Sequence, residues 1–206
     1  MTDSKKDEKI QAFWKEVLET IFFVIVAVIL IRFFIVEIRW IPSGSMEPTL
    51  KKHDRLFVEK VTNFYKTPDR GDVMIFYPPF VEVDNSFMGV FKRLTGAFCK
   101  DVAYIKRVIG MPGDKFEIKK LEDGSHVVFI NDEAIEEKYI KDKFDYIECN
   151  ENILCGPIII PEKNYFMLGD NRGCSQDSRF WGLLHEDRFI GRAVYLFWPF
   201  SRAKSL

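Results

Sequence analysis

Histidine and cysteine are scarce in this chain of 206 residues, and basic charge does not exceed acidic. The three histidines, His53, His126 and His185, stand in charged or hairpin settings. None lies in a glycine-bounded turn, so a Ser-His-Asp triad has little support. The four cysteines form no C-x-x-C pair and no zinc-ligand spacing, so neither a metal nor a cofactor is expected. A net charge of −1 supplies no basic stripe, which sets nucleic acid aside as a partner. There is no internal repeat and no low-complexity tract, and at this length one domain plus additions is expected.

What is abundant is apolar and aromatic: 47% of the residues are hydrophobic and 20 are Phe. Residues 1–16 are polar and read as a cytoplasmic tail. From Val17 to Val36 only Glu19, Thr20 and Arg32 are not apolar. As a helix, such a run reaches about 30 Å, the hydrocarbon thickness of a bilayer. It is apolar all round rather than striped, and Glu19 and Arg32 sit near its ends, where they can snorkel. No small-x-small cleavage site follows the run closely, so an uncleaved transmembrane anchor over 17–36 is expected. Lysines before the span and Arg39, Lys51, Lys52 and Arg55 after it balance, so charge alone does not orient it. Long C-terminal domains translocate largely regardless of charge. The expectation is therefore a single-pass protein of the cytoplasmic membrane, with residues 37–206 on the outer face.

Beyond position 55, aromatic and β-branched residues favour strands. Candidates are 38–41, 54–60, 72–77, 104–109, 116–118, 127–130, 158–160, 165–168 and 192–197, with a hairpin turn at Asp123-Gly124. The fold class expected is mainly β, an antiparallel sheet domain behind one membrane helix. Phe80 to Lys100 is loop-like and rich in Phe (80, 87, 91, 98), suited equally to a membrane interface or to a core. Residues 131–157 read as a loop-rich insertion. Its Cys149 and Cys155 are either a short disulfide ring on an oxidising face or two free thiols.

Two stretches carry chemistry. Pro42-Ser43-Gly44-Ser45-Met46-Glu47-Pro48-Thr49-Leu50 holds two hydroxyls on a turn stiffened by proline. Tyr104-Ile105-Lys106-Arg107-Val108-Ile109 alternates as a strand with a lysine among apolar neighbours. Burial would lower the pKa of that lysine and make it a usable base for a serine hydroxyl; the alternative is a stem packed on a sheet with its head in water. Taken with Gly71-Asp72-Val73, with Gly110-Met111-Pro112-Gly113-Asp114 and with Gly169-Asp170-Asn171-Arg172-Gly173-Cys174-Ser175-Gln176-Asp177-Ser178-Arg179-Phe180-Trp181-Gly182, these stretches resemble type I signal peptidase. That family comprises membrane-bound serine–lysine endopeptidases. The boxes occur in the family's order behind an anchor and cover about a quarter of the chain. Gly173-Cys174 departs from the polar pair the family often has.

The resemblance implies the rest. Ser45 would be the nucleophile, Lys106 the general base, and Ser175 the group that orients the lysine amine. The Ser45 N–H and the Ser43 hydroxyl would form the oxyanion hole. Asp170, Arg172, Asp177 and Arg179 would form ion pairs that hold the last box. Ile41, Pro42, Met46, Leu50, Tyr104 and Ile105 would line shallow pockets that admit small side chains, hence cleavage after Ala-x-Ala. Implied partners are the signal peptides of secretory preproteins and the lipid bilayer, with transient contact with the secretion translocase. Self-cleaving serine–lysine repressors share related chemistry but need a DNA-binding motif where this chain has an apolar run. A catalytically dead binding domain, or an enzyme specialised for other clients, are the remaining readings.

Overall fold

The computed structural model describes residues 2–62, 65–82, 86, 89 and 102–206; the side chains of residues 2–9 and Phe33 are also outside the description. Helix α1 runs Thr2–Phe34 and passes through a one-residue turn into strand β1, Val36–Trp40. The apolar run therefore changes from helix to strand two residues before its expected end. The junction is held by the Lys60 N–H to Ile35 O (3.0 Å) and by Lys60 Nζ, which reaches Arg32 O at 3.2 Å and Glu37 at 2.6 Å. Large apolar side chains of α1 face outward on every side; Phe22 and Phe23 are 70% and 72% exposed. Among the described residues no helix is long and apolar enough to cross a membrane; every 18-residue stretch between positions 10 and 32 includes Lys15, Glu16 and Glu19.

The rest of the described chain is mainly antiparallel β. Strands follow as β2 Arg55–Glu59, β3 Val73–Phe76, β4 Tyr104–Gly110, β5 Lys115–Lys120, β6 His126–Ile130, β7 Glu133–Ala134, β8 Ile158–Ile159, β9 Asn164–Leu168, β10 Leu184–His185, β11 Phe189–Trp198 and β12 Lys204–Ser205. The larger sheet has the order β1-β2-β11-β3-β4-β9-β10, with β12 on β11; the smaller is β7-β6-β5-β8. The Asp123-Gly124 turn is where it is expected: Gly124 takes φ +83, and β5 and β6 pair from Lys120–His126 to Phe116–Ile130. The third and fourth strands fix the site's frame, because Met74 stands opposite Lys106 and Val73 opposite Arg107.

Alternation along the strands buries three apolar groups. One joins Ile41, Met46 and Leu50 to Leu56, Val58, Val73, Ile75 and Ile105. Another surrounds Met74, Phe76, Val108 and Met167. The third couples the two sheets, with Phe116 stacked on Phe166 at 3.9 Å between ring centroids. Part of the 131–157 segment belongs to that core: Tyr146 and Cys155 are buried in it, and Cys149 and Cys155 are joined in a disulfide. In the Phe-rich stretch, Phe80 is exposed and meets Tyr104 edge-on at 5.8 Å. Phe87, Phe91 and Phe98 lie outside the described residues.

Candidate active site

The Pro42–Leu50 loop leaves β1 and returns to β2 over a set of backbone bonds. The Ile41 N–H reaches Asp54 O (2.9 Å), that of His53 reaches Ile41 O (2.8 Å), and that of Leu50 reaches Met46 O (2.9 Å). The buried carboxylate of Asp54 accepts from the Lys51 N–H at 2.7 Å and from Arg202 Nη1 at 2.6 Å through each oxygen. Met46 and Leu50 act as anchors sunk in the core. A hydroxyl on this loop is thereby held by buried apolar contacts and by an ion pair whose carboxylate is buried.

That hydroxyl is Ser45. Lys106, from the middle of β4, sets its Nζ 2.7 Å from Ser45 Oγ, and Ser43 Oγ is 3.3 Å from the same atom. Both Ser45 and Lys106 are buried, at 8% and 4% exposure. Burial is the largest influence on the amine and lowers its pKa from 10.5 to about 8; Asp177 and Asp170 oppose the shift and Arg179 adds to it. The ring of Tyr104 lies 5.5 Å from Nζ. A serine hydroxyl beside a lysine that sheds its proton near neutral pH is a competent nucleophile–base pair.

The Gly169–Ser178 turn closes the back of the site. A side-chain carbon on Gly169 would fall 2.2 Å from Ser175 Oγ and 2.5 Å from Ser45 O, so only glycine lets these segments meet. The Asn171 N–H bonds Ser45 O and its Nδ2 bonds Gly44 O, each at 3.1 Å. Ser175 Oγ is buried in this junction, but among the described residues it has no hydrogen-bond partner, so the expected bond to the lysine amine is not made.

The ion pairs differ from expectation in one respect. Arg179 and Asp177 pair through two bonds of 2.8 Å with both side chains fully enclosed. Asp170 and Arg172 do not pair with each other. They leave the turn in different directions: Asp170 accepts from Arg107 Nε at 2.8 Å and Nη2 at 2.6 Å, whereas Arg172 reaches Glu137 and Tyr146 (2.7 Å to the hydroxyl) in the 131–157 segment. Thr49 Oγ1 also donates to Asp170, at 2.5 Å. The turn is thus tied to the Pro42–Leu50 loop, to β4 and to the 131–157 segment at once.

Of the expected pocket residues, Ile41, Met46, Leu50 and Ile105 are buried, Tyr104 is half-buried and Pro42 is exposed. Sequence reading missed Arg107, Asn171 and Glu137. The first two stand inside quoted boxes, but their partners are set by tertiary register. His53 stacks near Trp40 on the surface, and His126 is buried against Tyr146 in the smaller sheet, so neither joins Ser45. Among the described residues no cluster of side chains suits a metal ion.

The family model described as signal peptidase, peptidase S26, matches residues 14–198. A signal peptidase I of Leptolyngbya laminosa is 38% identical over 191 residues, covering 93% of this chain and 83% of the relative. A probable signal peptidase I-2 of Synechocystis is 34% identical over 203 residues, covering 98% and 81%. A signal peptidase I of Bacillus licheniformis is 31% identical over 208 residues, covering 99% and 98%.

Proposed function

The chain belongs to the signal peptidase S26 family of serine endopeptidases that remove signal peptides, and we propose that it does so with Ser45 as nucleophile and Lys106 as general base. The observation that carries the proposal is the 2.7 Å approach of Lys106 Nζ to Ser45 Oγ in a buried site. The neutral amine takes the hydroxyl proton as Oγ attacks the scissile carbonyl carbon. Negative charge then develops on the carbonyl oxygen, and the Ser45 N–H with the Ser43 hydroxyl receives it; one such donor typically contributes about 3 kcal/mol. Collapse of the tetrahedral species breaks the C–N bond, and the lysine ammonium returns its proton to the leaving amine. Water, deprotonated by the same amine, then hydrolyses the acyl-enzyme. Ser175 Oγ, buried in the adjoining turn without a hydrogen-bond partner among the described residues, would have to turn to Nζ to orient the amine during these transfers.

The substrate proposed is the end of a secretory signal peptide with small side chains one and three residues before the cut. Pro42 and Tyr104, the exposed and half-buried members of the expected set, would meet it beside Ser45, backed by Ile41, Met46, Leu50 and Ile105, which are buried beneath.

The anchor is part of the same reading. In that reading the apolar end of α1, from Val17 to Phe34, is the segment that enters the bilayer, with 1–16 on the cytoplasmic side. Support comes from the all-round exposure of apolar side chains on α1. It comes also from Ile38, Trp40, Tyr195, Trp198 and Phe200, all exposed on or beside the β1–β2–β11 end of the sheet where α1 enters. Amphipathic aromatics of that kind suit a membrane interface.

Incubation of the purified protein with a preprotein in detergent, followed by sequencing of the new N-terminus, tests the activity. A single cut after a small-x-small sequence is expected; no cut, or a cut elsewhere, refutes it. For topology, protease added outside spheroplasts should digest residues beyond Ile38, and protection of the whole β domain would reverse the orientation.

A further inference from the structure

We infer that Asn171 is a positioning residue for oxyanion stabilisation: it fixes the Gly44–Ser45 peptide plane and thereby aims the Ser45 N–H. The inference rests on the proposed nucleophile. The Gly44 carbonyl and the Ser45 N–H are two ends of one peptide unit, which is planar and trans, so they point in opposite directions. Whatever holds the carbonyl aims the N–H. Asn171 Nδ2 donates to Gly44 O at 3.1 Å, and the Glu47 N–H adds a second bond to that oxygen at 3.2 Å. The following carbonyl, Ser45 O, accepts the Asn171 backbone N–H at 3.1 Å. Asn171 therefore grips the nucleophile's backbone on both sides of its Cα, from a position 127 residues beyond Gly44 in sequence.

Three further facts fit this role. Among the described residues nothing accepts the Ser45 N–H, so it is free for a substrate oxygen. Asn171 is 4% exposed, and its own backbone is locked into the turn by the Cys174 N–H at 3.0 Å, so the clamp is rigid. Turned over, the Asn171 amide would set its oxygen against Gly44 O, which fixes Nδ2 as the donor. A hydrogen bond accepted at a peptide carbonyl also polarises the unit and strengthens donation by its N–H.

The test uses the full chain in detergent and two peptides. One is an Ala-x-Ala peptidyl boronate, which forms a tetrahedral adduct on Ser45 and places an oxygen in the oxyanion hole. The other is the same peptide with its scissile carbonyl reduced to methylene, which binds without an oxyanion. Asn171→Asp keeps size but replaces the donor by an acceptor. It should weaken boronate binding by about tenfold or more while leaving the reduced peptide within about twofold, with kcat falling in step. A Tm measurement identifies an unfolded variant, in which case Asn171→Ala carries the same comparison. Equal weakening of both ligands means Asn171 only maintains the fold or the binding groove and overturns the inference, as does no change in either. Ser45→Ala is run alongside. If it still cleaves, the proposed nucleophile itself is wrong; if it is dead while Asn171→Asp is fully active, only the clamp is wrong.

Discussion

Lys106 Nζ bonds Ser45 Oγ at 2.7 Å across 61 positions of sequence. The contact exists because the fourth strand sits in the interior of the larger sheet and the nucleophile loop is clamped to its neighbours. The lysine has no other hydrogen-bond partner among the described residues. Its charge is consequently the least well supported in the site, which is the condition a base requires.

Replacing either member should therefore end catalysis without unfolding the protein. Ser45→Ala and Lys106→Ala should each lower kcat/KM by about 10⁴-fold or more. Lys106→Arg should be as inactive, since guanidinium does not deprotonate. Lys106→Met should be inactive yet at least as stable as the parent, because an apolar side chain of similar length removes a buried amine. Cleavage kinetics with circular dichroism melts check all four. Near-normal turnover by any of them would sink the assignment.

How much of this was readable beforehand follows from the range of each interaction. The apolar run, the Asp123-Gly124 hairpin and the alternation around Lys106 are local patterns, and they reappear as α1, the β5–β6 turn and β4. Strands β7, β10 and β12 have two residues each, too few to show a period. β11 begins at Phe189, three residues before its expected start, and its register shifts beside Gly191, which breaks the alternation there. Arg107 with Asp170, 63 positions apart, and Arg172 with Glu137, 35 apart, depend on sheet register and on how the inserted segment folds back. Two residues of opposite charge in one box, Asp170 and Arg172, suggest a local pair; tertiary partners claim both.

The Asp177–Arg179 pair makes a second prediction. Both side chains are fully enclosed, and Asp177 Oδ2 also accepts the Gly169 N–H at 3.1 Å. Asp177→Ala leaves Arg179 buried without its counter-charge and should cost about 3–5 kcal/mol in urea unfolding. The milder Asp177→Asn tests the link to the base. The Asp177 carboxylate raises the Lys106 pKa and Arg179 lowers it. With Asp177 neutralised, the acidic limb of the activity profile should move to lower pH, and a move to higher pH would contradict the electrostatic account.

The disulfide has its own test. Cys155 is buried in the core that joins the sheets, and its carbonyl accepts the Ile118 N–H at 2.7 Å. Replacing Cys149 and Cys155 by serine should reduce stability by about 2 kcal/mol, the loop-closure value for so short a ring. Activity should survive in the folded fraction, since neither cysteine approaches Ser45. In the parent, thiol labelling under denaturing, non-reducing conditions should leave both unmodified, and labelling of either would exclude the bond.

The last prediction follows the lysine proton. In the unfolded chain Lys106 titrates near 10.5, and burial lowers it in the folded protein to about 8. Below about pH 8 both states hold the proton, and the native state bears the cost of enclosing an ammonium. Between about 8 and 10.5 the unfolded chain binds a proton that the native one does not, so the stability contribution of this residue rises with pH across that window. Above 10.5 it is level. Lys106→Met should erase that rise, which chemical denaturation at a series of pH values can read. Activity should follow the same proton: weak in acid, climbing through about pH 8 as the amine becomes neutral. His53→Gln and His185→Gln should leave the limb where it is, because neither side chain approaches Ser45. His126, buried against Tyr146, has its pKa pushed down chiefly by burial, away from the limb. Activity that stays flat down to about pH 5, below the histidine range, would exclude a lysine base.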